Sequence, residues 1–230
     1  IGSTRRWRTM PWLVLLFGLM IAPLGIVSIF FIIIQPIWIG TWCTLCLIGA
    51  AAMIVQIPYS LDELVATGQF LLRRRRAGRS LLRVFLTGDT DEGAEARPEP
   101  EFERPARAVI REMLSGGVNV PWNLALCMLI GIFLMFTPHA LDAQGGMANA
   151  DHLIGALVIT FSACAWAEVG RPLRFINIPL GAALLVTPHL YQASMAQVLV
   201  SSACGLALVV LSLRRGPVLQ RYGSWQRFIV

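Results

Sequence analysis

Two cysteines spaced by three positions stand in the stretch Trp42-Cys43-Thr44-Leu45-Cys46. On a helical turn, residues i and i+3 share one face, close enough for their sulfurs to join as a disulfide. If the pair opens a helix, the unpaired N–H groups and the positive end of the dipole favour a thiolate there. A thiolate is the species that thiol–disulfide exchange consumes. The preceding residues, Gln35 to Trp42, carry no charge and include Trp38 and Trp42, an approach suited to a flat apolar redox partner. Two other readings of the pair stay open at this level. Cysteines pack in apolar helices as small hydrophobes. A bound metal such as zinc would need about four ligands, and the outer loops offer only His139, His152 and His189, on distant segments. Cys127, Cys164 and Cys204 lie inside apolar segments, so the five cysteines form no disulfide framework.

The elements that must carry this pair are membrane helices. Of 230 residues, 56% are hydrophobic and 14% charged, against about a quarter charged in soluble domains. Apolar runs long enough to cross a bilayer separate the charge clusters. The expected fold class is all-α: a polytopic membrane protein with about six transmembrane helices. The spans fall near 11–34, 41–59, 120–136, 152–169, 176–186 and 196–213. The second helix is expected to continue to about Leu72. The first run follows Arg5-Arg6-Trp7-Arg8 like a signal peptide, but it is too long and lacks a cleavage site, so it reads as a retained span. The chain starts at Ile1 without an initiator methionine, and sequence belonging to the complete protein is expected upstream.

All 19 basic residues are arginine, and the net charge is +6. The arginines fall at span ends, where topology and anionic lipid account for them; a nucleic-acid partner is not expected. With six crossings, every arginine lies on one side, taken as cytoplasmic together with both termini. The links 35–42, 138–151 and 187–195 then lie outside and contain no arginine.

Residues 73–116 read as a charged cytoplasmic linker that opens with Arg73 to Arg76, with a short surface helix expected at 105–114. Beyond it the chain repeats itself with an offset of 50. Gly131, Leu134, Thr137, Pro138 and His139 recur as Gly181, Leu184, Thr187, Pro188 and His189, and Gly155 recurs as Gly205. Each unit reads as a helical hairpin, and the two are in parallel orientation. The twin Thr-Pro-His motifs are expected to end helices. Asp151 is expected to cap a helix starting at His152. Glu168 and Arg171 are expected to pair at the inner boundary. Gly18, Gly25, Gly49, Gly131, Gly155, Gly181 and Gly205 are expected at close helix contacts.

The stretch Ile26 to Pro36, followed by Gly40-Thr41-Trp42-Cys43-Thr44-Leu45-Cys46-Leu47-Ile48, resembles the last two helices of the vitamin K epoxide reductase family. The segment from about Gly117 resembles the SPW repeat, with Val120-Pro121-Trp122 where that signature stands. These resemblances imply three parts: 1–72 as reductase-like helices, 73–116 as linker and 117–230 as a four-helix repeat module. The first resemblance implies a membrane thiol–disulfide oxidoreductase that passes electrons from dithiols to a quinone, ubiquinone or menaquinone, and supports periplasmic disulfide formation. Cys43 would exchange with a relay disulfide, Cys46 would face the quinone, and Trp42 and Trp38 would stand in its vicinity, with no metal. The partners implied are membrane lipid, the quinone and a periplasmic thiol–disulfide protein, in a bacterial inner membrane. The family's first two helices and relay cysteines have no counterpart in these residues. The alternative is a non-enzymatic membrane scaffold whose cysteines are inert.

Overall fold

The computed structural model describes residues 6–89, 107, 118–218 and 226–229. Six principal helices carry the architecture: α1 (Pro11–Ile34), α2 (Thr44–Arg76), α3 (Trp122–Met135), α4 (Gly145–Cys164), α5 (Asn177–Leu190) and α6 (Met195–Leu213). Among the described residues there is no strand, and the single bridge joins Val118 to Ala167. The chain is a multi-pass, all-α membrane protein. Five stretches are long and apolar enough to cross a bilayer: Pro11–Ile39, Thr44–Arg76, Gly145–Cys164, Glu168–Leu190 and Met195–Leu213.

The sixth expected span, α3, has 14 residues, or about 21 Å against a hydrocarbon core of about 30 Å. Pro121 stands at its N-cap. Beyond Met135 the chain leaves the helix at Phe136 and turns into a separate short helix, Thr137–Ala140. Its counterpart α5 also has 14 residues, but a 3-10 run, Glu168–Ile176, extends it backwards to crossing length. The surface helix expected at 105–114 lies outside the described residues, apart from Arg107.

Pro11 occupies the first turn of α1, where its missing N–H costs nothing. A π turn, Gln35–Ile39, continues α1, and Gly40 ends it in the left-handed conformation at φ +72°. The 33 residues of α2 span about 50 Å, so this helix leaves the bilayer and ends outside it on Arg73 to Arg76, complementing its own dipole. There Arg74 pairs with Asp89 at 3.3 Å and lies over the Phe70 ring. Trp7 meets that ring edge-on, and the Asp89 N–H donates to the Arg8 carbonyl.

The internal repeat folds twice in the same way. A Cβ on Gly155 would stand 2.5 Å from the Gly131 carbonyl oxygen, and one on Gly205 would stand 2.5 Å from that of Gly181. Each hairpin, α3–α4 and α5–α6, is thus a backbone-to-backbone crossing that only glycine permits. The two hairpins share one apolar core to which equivalent residues of both contribute: Leu134 and Leu184, and Val158 and Leu208. Asn177 donates to Ser162 across the halves at 3.1 Å. Of the other expected close contacts, Gly18 and Gly25 face Leu64 and Ile57, whereas Gly49 faces open space. Gly49 lies on the lipid side of α2, so its expected packing role does not hold.

One further expectation needs correction. Helix α4 begins at Gly145, so Asp151 is not its cap. Asp151 and His152 are both buried within the helix. Glu168 and Arg171, expected to pair, are both buried and share Asn119 as a partner. Its amide donates to Glu168 at 2.6 Å, and its oxygen accepts from the Arg171 guanidinium. A third residue from the 118–119 segment thus links the two charges, which the i,i+3 spacing alone does not reveal.

Substituting Gly155 or Gly205 by Ala presses a methyl group against a carbonyl that cannot rotate away. Each variant is expected to lose about 1–3 kcal/mol. Gly49→Ala meets nothing and is expected to leave stability unchanged or slightly raised. Thermal unfolding of the detergent-solubilised protein checks both.

Candidate functional site

The cysteine pair lies where α2 begins. Cys43 is the N-cap in extended conformation, and its sulfur accepts the Cys46 N–H at 3.4 Å. The Cys46 thiol and then its backbone N–H stabilise the negative sulfur, holding the Cys43 pKa below the ordinary thiol value against some desolvation. The N–H of Cys43 itself donates to the buried Gln35 side chain at 3.2 Å. The Gln35 backbone carbonyl accepts from Gly40 at 2.9 Å. One glutamine therefore holds both the π turn and the residue that starts the next helix. Neither cysteine is fully buried, and both are free thiols.

Trp42, just before the pair, is braced by the repeat module. Its ring stacks on Phe136 at 6.2 Å and 19°, and meets His152 edge-on at 5.1 Å. His152 Nε2 lies 2.9 Å from the carbonyl oxygen of Ile32. The helical donor to that carbonyl would be residue 36, which is proline and has no N–H. A carbonyl can only accept, so Nε2 carries the proton and Nδ1 is left as an acceptor. Nδ1 and both carboxylate oxygens of Asp151 are buried with no hydrogen-bond partner among the described residues.

Beneath Trp42 a cavity of about 190 Å³ opens between the α1–α2 hairpin and the repeat module. From α1 and α2 it is lined by Ser28, Ile32, Ala50, Ile54 and Ile57, and from α3 and α4 by residues including Met135, Ala156 and Ile159. Positions 43, 47, 50, 54 and 57 form one stripe of α2, as do 46, 50, 53 and 57. The lining thus continues the face on which both cysteines stand. Neither this cavity nor a larger apolar groove of about 520 Å³ between α3 and α6 is lined by a cysteine.

Of the residues expected at the site, Cys43 and Cys46 stand together at the start of α2, and Trp42 beside them lines the cavity. Trp38 does not line the cavity; it is 80% exposed on the π turn. His139 and His189 are not gathered with the thiols. Among the described residues no three His, Cys, Asp or Glu side chains cluster as metal ligands would. Gln35 and Phe136 carry no sequence signal of a site role, and His152 entered only as a candidate metal ligand and as the expected start of a helix. Pro36, four positions after Ile32, is the one local sign that an outside donor was needed.

Residues 1–61 match the vitamin K epoxide reductase family, and residues 121–215 match the SPW repeat domain. No curated protein and no solved structure matches the chain significantly.

The Cys46→Ala variant removes the thiol donor to Cys43 and leaves the backbone N–H. Less thiolate then forms at any given pH, so the alkylation rate of Cys43 is expected to rise at higher pH than in the parent protein. A pH–rate profile by mass spectrometry reads the midpoint directly; an unmoved midpoint denies the Cys46 thiol this role.

Proposed function

We propose that this chain, a vitamin K epoxide reductase segment joined to an SPW repeat domain, works as a membrane thiol–disulfide oxidoreductase that passes electrons from dithiols to a quinone. One observation carries the reading: a CxxC pair, with the Cys43 sulfur accepting the Cys46 N–H, opens the helix whose next turns line an apolar cavity walled in part by Trp42. The family match over residues 1–61 supports a redox role in general.

Exchange proceeds at sulfur. A thiolate of the partner dithiol attacks Cys43 of the Cys43–Cys46 disulfide, forming a mixed disulfide and releasing Cys46 as the leaving thiolate. The partner's second thiolate attacks its own sulfur in that bond and releases Cys43. The hydrogen bonds that stabilise the Cys43 thiolate make it a good leaving group. The partner leaves oxidised, and the chain holds two thiols. A quinone, when bound, supplies a two-electron, two-proton acceptor. Returning the thiols to the disulfide releases that same number of electrons and protons, so the cycle balances.

The cavity fits such a group in kind and scale. It is apolar, and the indole of Trp42 lies in its lining with Phe136 stacked against it. Its volume is below the roughly 300–1,000 Å³ of drug-sized sites. It therefore suits the quinone ring, with the isoprenoid tail running out among lipid chains. Either ubiquinone or menaquinone has the required chemistry.

Orientation follows from charge. Arg8, Arg74, Arg171 and Arg214 belong to the end of the bundle opposite the cysteines, where the chain segments around them are held together by hydrogen bonds and a shared apolar cluster. The positive-inside rule assigns that end to the cytoplasm and the thiols to the periplasmic face of a bacterial inner membrane.

In membranes holding the protein with its partners, Cys46→Ser is expected to reduce dithiol-driven quinone reduction to background. Equal turnover by the parent and the variant overturns the reading and favours an inert scaffold. A membrane-impermeant maleimide is expected to label Cys43 from the face opposite the arginines.

A further inference from the structure

We infer that the repeat module is one wall of the electron-acceptor site, and that His152 is the positioning residue that fastens this wall to the cysteine-bearing hairpin. The inference rests on the thiol–quinone reading above and assigns the module a part in it.

Three observations converge. The first is the cavity, which is a property of neither module alone. Ile132, Met135, Phe136, Ala156, Ile159 and Ala163 close the side that α1 and α2 leave open.

The second is an internal comparison that the repeat makes possible. At the offset of 50, Ala156 and Ala163 of α4 correspond to Leu206 and Leu213 of α6. Those leucines are each 61% exposed on the outer surface. At these two positions the unit that faces the hairpin carries methyl groups where its twin carries full aliphatic side chains, and this leaves room in the recess, although Ile132 and Phe136 of the lining are larger than their twins Ala182 and Val186.

The third is polar and lies at the same contact. Asp151 and His152 correspond to Ser201 and Ser202, so the donor that the Ile32 carbonyl needs is present in one unit and absent from the other. His152 meets both that carbonyl and the edge of Trp42. It therefore sets the end of α1 and the roof of the cavity together. The twin unit, which touches no such hairpin, has no imidazole to match.

The test uses the full chain with its partners, a photoreactive azido-quinone as probe, and Ala156→Leu and Ile132→Trp to fill the cavity from the repeat side. Leucine is the residue that the twin helix carries, and Ile132 is 41% exposed, so one variant decides if the other fails to fold. Leu153→Trp, on the exposed side of α4, is the control.

In the parent protein the probe is expected to label peptides of both α2 and α4, and unlabelled quinone is expected to compete. The filling variants are expected to lose the label and to raise the KM for quinone by at least about tenfold. Alkylation of Cys43 is expected to stay unchanged, and the control to behave as the parent. His152→Phe is expected to raise KM in the same way. His152→Gln, whose amide N–H can still reach the Ile32 carbonyl, is expected to restore it.

Labelling confined to α1 and α2, or filling variants with parental KM and label, overturns the shared wall. Equal KM for the Phe and Gln variants overturns the positioning role. Labelling does not depend on turnover. A protein labelled on both walls that moves no electrons therefore refutes the oxidoreductase reading and leaves the shared site standing.

Discussion

A proline four residues after Ile32 leaves a main-chain carbonyl without its helical donor at the edge of a bilayer, where an unsatisfied peptide group costs several kcal/mol. His152 meets that need from 120 residues away in sequence. Much of the site's geometry follows from this bond. It sets α4 against α1, brings the imidazole to the edge of Trp42, and leaves room below for a cavity beside the thiols. The same proline forces the π turn, whose glutamine then reaches the Cys43 N–H. One missing hydrogen atom thus organises both the junction between modules and the turn that presents the cysteines.

Close approach of glycines gives the repeat module the stiffness such a junction requires. Gly131 against Gly155 and Gly181 against Gly205 bring paired helices to backbone contact. Without a hydrophobic driving force inside lipid, packing at short range is what holds helices together. The two hairpins then bury matching leucines in one core. Against that near-symmetric frame, the departures stand out: alanine for leucine and histidine for serine, on the side that meets α1 and α2.

The two ends of the bundle are chemically distinct. One gathers arginines, the extramembrane end of α2 and a buried Asn119–Glu168–Arg171 linkage. The other holds Trp38 and Trp42, turns without arginine, and the thiols. The Cys43–Cys46 thiol pair lies at the end free of arginine. There, local hydrogen bonds at a helix start, rather than a neighbouring cation, stabilise the Cys43 thiolate.

Local properties were readable along the chain. Hydropathy marked the apolar segments, the offset of 50 marked the duplicated hairpin, and Trp42-Cys43-x-x-Cys46 marked a helix start with two thiols on one face. Each depends on residues within a few turns of one another, so periodicity and composition suffice. Tertiary packing decided the rest. Helix α4 begins seven residues before His152, among small and polar residues of low hydropathy, because Met147 is buried against its neighbours and Gly146 leaves space for Tyr191. Asp151 therefore lies inside the helix rather than at its cap. Gly49 looked like its fellow glycines but meets only open space. The cavity and its histidine brace join segments about a hundred residues apart. Pro36 marks locally that the Ile32 carbonyl lacks its helical donor, but no local pattern reports which helix comes to supply one.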